Sequence, residues 1–138
     1  MIILKLPAEG VLIFPGISIK LQLNPQLAFS LPAPNWLAII LSLAVLIIAI
    51  KILSKYLTGN RLANWGLGLL VIGSLSNLLD RFKYGGVVDW LNLWLPGLPA
   101  LRWPSFNLSD VYIFTACLLL FLAFRTIGVA GGKEDNRL

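Results

Sequence analysis

Three long apolar segments decide what this chain can become. From Leu37 to Ile50 the only polar residue is Ser42, and the surrounding segment runs from Trp36 to about Tyr56. A second segment, Leu62 to Leu79, is interrupted mainly by small or amide residues: Asn64, Gly66, Gly68, Gly73, Ser74, Ser76 and Asn77. The third runs from Val111 to about Ala130, with Arg125 near its end. Each approaches the ~20 residues that a helix needs to cross a bilayer. A buried hairpin inside a soluble globule is the competing reading. It fails on size, because 138 residues cannot hide three such runs. Only 12% of residues are charged, against about 25% in soluble domains. The expected fold class is therefore a mainly α membrane protein with three transmembrane helices, at 36–56, 62–80 and 110–130. All belong to a single membrane domain, 1–138.

The remaining segments fit around those spans. Val11–Phe14 reads as a short strand, and Ile17–Leu23 alternates apolar and polar residues with the period of a half-buried strand. Pro15-Gly16 marks the turn between them, and Pro25, Pro32 and Pro34 break the chain before the first span. Residues 1–34 thus form a small β region. Pro7, Glu9 and Gly10 stop the opening residues from developing into a signal peptide. Trp90 to Pro104 carries Trp90, Trp94 and Trp103 among leucines, a composition suited to the headgroup region, and is expected as an interfacial loop or helix. Gly131–Leu138 reads as a short, disordered polar tail.

Flanking charge sets the orientation. Lys51, Lys55 and Arg61 follow the first span, and Arg125, Lys133 and Arg137 accompany the end of the third. Both C-terminal ends are expected in the cytoplasm, with residues 1–34 and the 81–109 connection outside. The net charge of +5 does not indicate nucleic acid, because the basic residues stand singly between apolar runs.

The chemistry left open is narrow. With no His and one Cys, a Ser-His-Asp triad, a Cys-His pair and a His/Cys zinc site are all excluded. Cys117, in mid-span, reads as a packing residue. Of six acidic residues, Asp80, Asp89 and Asp110 sit at span ends or between spans, all at the outer edge by this topology. A carboxylate there is a candidate for function. Asn77, Asp80 and Arg81 share a helix face, and Asp80 with Arg81 is expected to form a structural ion pair. Asn107 and Asp110 are three apart at a helix start, where Asn107 or Ser109 can serve as the cap. Two facing aspartates cannot both ionise comfortably, so one holds a proton while the other activates water. That route hydrolyses a peptide without His, Cys or metal.

These residues resemble the signature of the lipoprotein signal peptidase (signal peptidase II) family. The family pattern is roughly G-N-x-x-D-R, then V-V-D-[FMW], then F-N-x-[AS]-D. Here it is matched by Gly73 to Arg81, by Val87-Val88-Asp89-Trp90 and by Phe106-Asn107-Leu108-Ser109-Asp110. Asn24-Pro25-Gln26-Leu27-Ala28-Phe29-Ser30 resembles the family's N-x-G-x-A-F segment. Ser76 and Gln26 stand where glycine is usual, and Ser109 where alanine is common. Family members usually have four spans, the first with a D-x-x-x-K element that is not found here.

The resemblance implies a cofactor-free, metal-free aspartyl endopeptidase of the bacterial inner membrane, with its site toward the outer face. The substrate would be a prolipoprotein bearing diacylglyceryl-cysteine, cut just before that cysteine. The catalytic pair would be Asp89 and Asp110. Asn24, Asn77, Asp80, Arg81 and Asn107 would bind substrate and hold the site. Partners would be that substrate and membrane lipid, with no nucleic acid. A non-catalytic lipopeptide-binding membrane protein and a small proton-coupled carrier are the alternative readings.

Overall fold

The computed structural model describes residue 7 and residues 10–26, 34–56 and 59–134. Its elements run β1 (Val11–Phe14), β2 (Ile17–Asn24), α1 (Asn35–Tyr56), α2 (Arg61–Tyr84), β3 (Val87–Leu95), β4 (Leu98–Arg102) and α3 (Leu108–Glu134). Three helices are long and apolar enough to cross a membrane, over Asn35–Lys55, Arg61–Tyr84 and Leu108–Thr126. The three helices and the β1–Pro15-Gly16–β2 hairpin are as the sequence predicts.

Helix boundaries follow from local chemistry. Pro34 precedes α1, and its carbonyl accepts from the backbone N–H groups of Leu37 and Ala38. Asn60 caps α2 by accepting from Leu62 N at 2.9 Å and Ala63 N at 3.2 Å. At the other end Gly85 takes a left-handed conformation, φ 80°, and donates to the carbonyl of Arg81. Asp80 therefore does not end the second span. The helix runs on one more turn to Tyr84, since Arg81 and Lys83 are compatible with a helix end at an interface. α3 likewise continues to Glu134, beyond the expected start of a tail at Gly131.

Packing is tightest between α2 and α3. Ala63, Gly66 and Gly73 are buried on α2, spaced three and seven residues apart, and the same stripe leads on to Asn77. A Cβ at Gly66 would lie 2.8 Å from Leu120 Cγ. A Cβ at Gly73 would lie 2.7 Å from the Ser109 carbonyl and 2.9 Å from Ile113 Cγ1. The missing side chains let the two backbones close up. Ala63, Leu120 and Ala123 form the buried cluster at the far end of this seam. α1 packs more loosely, burying Ala38 and Leu46 while most of its aliphatic side chains stay exposed. Its first residue docks onto α2, where Asn35 Nδ2 donates to the Arg81 carbonyl at 3.0 Å.

The four strands form an antiparallel sheet in the order β1-β2-β3-β4. The segment expected as an interfacial loop or helix is instead the β3–β4 hairpin. Asp89, Leu91, Leu93 and Leu95 alternate with Trp90, Asn92 and Trp94, which is the period of a strand, and Pro96-Gly97 supplies the turn. The sheet hangs between α2 and α3, attached through Gly85-Gly86 on one side and residues 103–107 on the other.

The contrast between two glycines tests the α2–α3 seam. A Cβ at Gly68 meets nothing within 4 Å. Gly73→Val should lower stability by about 1–3 kcal/mol through overpacking, whereas Gly68→Val should stay within about 0.5 kcal/mol. Thermal melts of both variants in detergent would check this, and equal melting points would contradict the close approach at Gly73.

Candidate active site

The site forms where the C-terminal end of α2, the start of β3, the end of β2 and the N-terminus of α3 meet. Asn107 stands immediately before α3 and caps it: its Oδ1 accepts from Asp110 N at 3.1 Å. Asp110 reaches back, its Oδ2 accepting from Asn107 N at 2.9 Å. This reciprocal pair has the geometry of a capping box. The cap thus fixes the orientation of the Asp110 carboxyl as a by-product of starting the helix.

Asn107 also points into the protein. Its Nδ2 donates to Asp89 Oδ1 at 3.2 Å and to Asn77 Oδ1 at 3.0 Å. Asn77 Nδ2 in turn donates to Asp110 Oδ1 at 3.0 Å. From the sheet, Asn24 Nδ2 donates to Asp89 Oδ2 at 3.0 Å. Each of the four carboxyl oxygens of Asp89 and Asp110 therefore accepts an N–H. The two aspartates, 21 positions apart in sequence, are linked through one amide side chain.

Asp80 and Arg81 flank this network and do not pair with each other. Asp80 Oδ2 accepts from the backbone N–H of Val88 at 3.2 Å, securing the start of β3 one residue before Asp89. Arg81 Nη2 donates to the Gln26 carbonyl at 2.7 Å. Consecutive helix residues point about 100° apart, which is why the expected ion pair does not form. Arg81 is only 6% exposed, and its Nη1 has no hydrogen-bond partner among the described residues.

All seven residues singled out from sequence lie at this one place: five in a continuous network, with Asp80 and Arg81 beside it. Leu27 to Ser30 of the N-terminal motif lie outside the described residues. Sequence reasoning missed Asn35, which carries no chemical signal beyond following Pro34. It also missed Gly86, where a Cβ would meet the Asn24 carbonyl at 2.8 Å, so that a side chain would push Asn24 away from Asp89.

Asp89 is 4% exposed. Its burial pushes its pKa above the ordinary aspartate value. The hydrogen bond from Asn24 opposes that shift, the charge of Asp110 adds to it, Asn107 opposes it and Asp80 adds again. Such a carboxyl is suited to holding a proton that an exposed aspartate would lose.

The sequence pattern of the family described as Signal peptidase (SPase) II matches residues 2–126. The chain belongs to the signal peptidase II family. Among similar proteins, the lipoprotein signal peptidase of Syntrophomonas wolfei is 34% identical over 135 residues, covering 96% of this chain and 82% of that protein. The enzyme of the same name from Pelotomaculum thermopropionicum is 32% identical over 125 residues, covering 89% and 77%. A solved structure described as a bacterial membrane enzyme, determined by the in meso method at 1.9 Å, shares the fold with a TM-score of 0.71. It is 22% identical over 89% of this chain and 78% of that one. The chain is thus a peptidase-family membrane protein, and the network lies within the matched region.

Two outcomes follow from this geometry. The carboxyl of Asp89 should titrate above about 3.9, the usual aspartate value, when followed by NMR of carboxyl-labelled protein. Because the folded chain holds that proton more tightly than the unfolded one, ionising Asp89 costs stability. Acidification through the window between the ordinary and the raised value should therefore restore it. A titration at or below the ordinary value would contradict the burial argument. Separately, Asn107→Ala should destabilise the protein by about 0.5–2 kcal/mol, the usual loss of a helix cap, and should shift the Asp89 titration.

Proposed function

We propose that this chain is an aspartyl endopeptidase that removes the signal peptide from diacylglyceryl-modified prolipoproteins, cutting just before the lipidated cysteine. The observation that carries this reading is the linkage of Asp89 and Asp110 through Asn107, in a chain of the signal peptidase II family. Asp89 holds the shared proton at rest, in keeping with its raised pKa. Asp110 acts as base: it takes a proton from water as the oxygen attacks the scissile carbonyl. Asp89 delivers its proton as the C–N bond breaks, and the leaving amine departs neutral. Proton transfer between the two carboxyls then restores the resting pair.

The other residues serve this pair. Asn24, Asn77 and Asn107 hold the carboxyl oxygens in place. Asp80 sets the position of β3, and Arg81 holds the Gln26 carbonyl, two residues after Asn24. Lys51, Lys55, Arg61 and Arg125 lie toward the helix ends opposite the site, which supports a site at the outer face of the bacterial cytoplasmic membrane.

Cleavage of a diacylglyceryl prolipoprotein peptide by the purified chain in lipid tests the proposal. Asp89→Asn and Asp110→Asn should each lower the rate at least a thousandfold, with the melting point within a few degrees of wild type. Wild-type rates in either variant would remove that residue from the chemistry. Asp80→Asn should lose both stability and activity, because it weakens the hold on Val88.

A further inference from the structure

The sheet carries a second candidate site at the end remote from Asp89. Strand alternation puts Leu91, Leu93 and Leu95 on the same face as Asp89. Direct antiparallel partners share a face, so Ile17 and Ile19 join Leu93 and Leu91 there. Ser18 joins Asn92 on the opposite face, and Arg102 joins Trp94. Over Ile17–Ile19 and Leu91–Leu93 one face is thus aliphatic, and the other carries Ser18 and Asn92, continuing to Trp94 and Arg102.

A cavity of about 540 Å³ lies at the free end of the sheet, walled on the aliphatic side by Ile17, Leu93, Leu95 and Leu101. A second, of about 370 Å³, is walled on the polar side by Ser18, Lys20, Gln22 and Asn92. The two share Leu93, Trp94, Arg102 and Trp103, at the open edge made by β4.

Charge and position identify the occupant. Lys20 and Arg102 line the polar cavity, and no acidic residue is among the described residues that line it. Arg102 lies over the Trp94 ring, 6.0 Å from its centroid, an arrangement that leaves its charge available. Trp103 is 70% exposed beside it. Tryptophan and arginine next to an aliphatic surface form the combination found at headgroup level. The turns beyond are uncharged, and Phe14, Leu95 and Leu98 are exposed around them. An acidic peptide would satisfy the two cations but not the aliphatic cavity.

We propose that the free end of the sheet binds an anionic glycerophospholipid, with Arg102 and Lys20 at its phosphate and headgroup and an acyl chain in the aliphatic cavity. The lipid crosses the β4 edge, so that a single molecule reaches both cavities. This site is separate from the aspartates and does not depend on their role.

Native mass spectrometry of the full chain, released from detergent and titrated with phosphatidylglycerol or phosphatidylcholine of identical chains, tests it. The wild type should bind phosphatidylglycerol about five- to thirtyfold more tightly, the scale set by one or two basic side chains at an anionic headgroup. Arg102→Gln and Lys20→Gln should each reduce that preference, Arg102→Lys should keep most of it, and Leu101→Trp should weaken both lipids alike by filling the cavity. Either glutamine variant suffices if the other does not fold. Equal affinity for the two lipids in the wild type would overturn the proposal, and so would a preference that survives in folded Arg102→Gln. Loss of acidic-peptide binding in that variant, with lipid preference unchanged, would assign the cations to a peptide and also overturn it.

Discussion

Asn107 holds the site together. Its backbone and side chain together make four hydrogen bonds, to Asp110, Asp89 and Asn77. Two of the side-chain bonds come from one amide nitrogen, whose two hydrogens are thereby both used. The other end of that amide starts α3. A residue committed in this way cannot change rotamer without releasing a carboxylate, uncapping a helix and leaving buried polar atoms unpaired. One side chain thus both holds an oxygen of Asp89 and starts the last helix.

That arrangement requires α2 and α3 to approach closely one turn away. Gly73 faces the carbonyl of Ser109, two residues after Asn107, at a distance that excludes a side chain. Asn77, one turn further along α2, is then near enough to join both Asn107 and Asp110. The same stripe of small residues that packs the helices in the apolar region thus ends in an amide where polar chemistry begins. Sheet and helices meet under the same constraint at Gly86, which admits the backbone of Asn24 and with it the Asn24–Asp89 bond.

Much of this is legible in the sequence, for identifiable reasons. The spans show because a bilayer demands long uncharged runs. The first hairpin shows because Ile17–Leu23 alternates around a Pro-Gly turn. The site residues show because polar groups are so scarce that each stands out. The β3–β4 hairpin was obscured by its composition: tryptophan and leucine together resemble an interfacial segment, and their alternation is easily passed over. The Asp80–Arg81 pairing misled because adjacency in sequence is not adjacency on a helix, and the partners each found, Val88 N–H and the Gln26 carbonyl, are backbone atoms that no sequence pattern marks.

The order of elements along the chain has a consequence for biosynthesis. Asp89 leaves the ribosome well before Asn107 and Asp110, which arrive with the last helix. Until α3 is threaded into the bilayer, Asp89 has neither its companion carboxyl nor the amide that orients it. Of its side-chain partners, only Asn24 precedes it in the chain. Integration of α3 is therefore the step that brings the two carboxyls together.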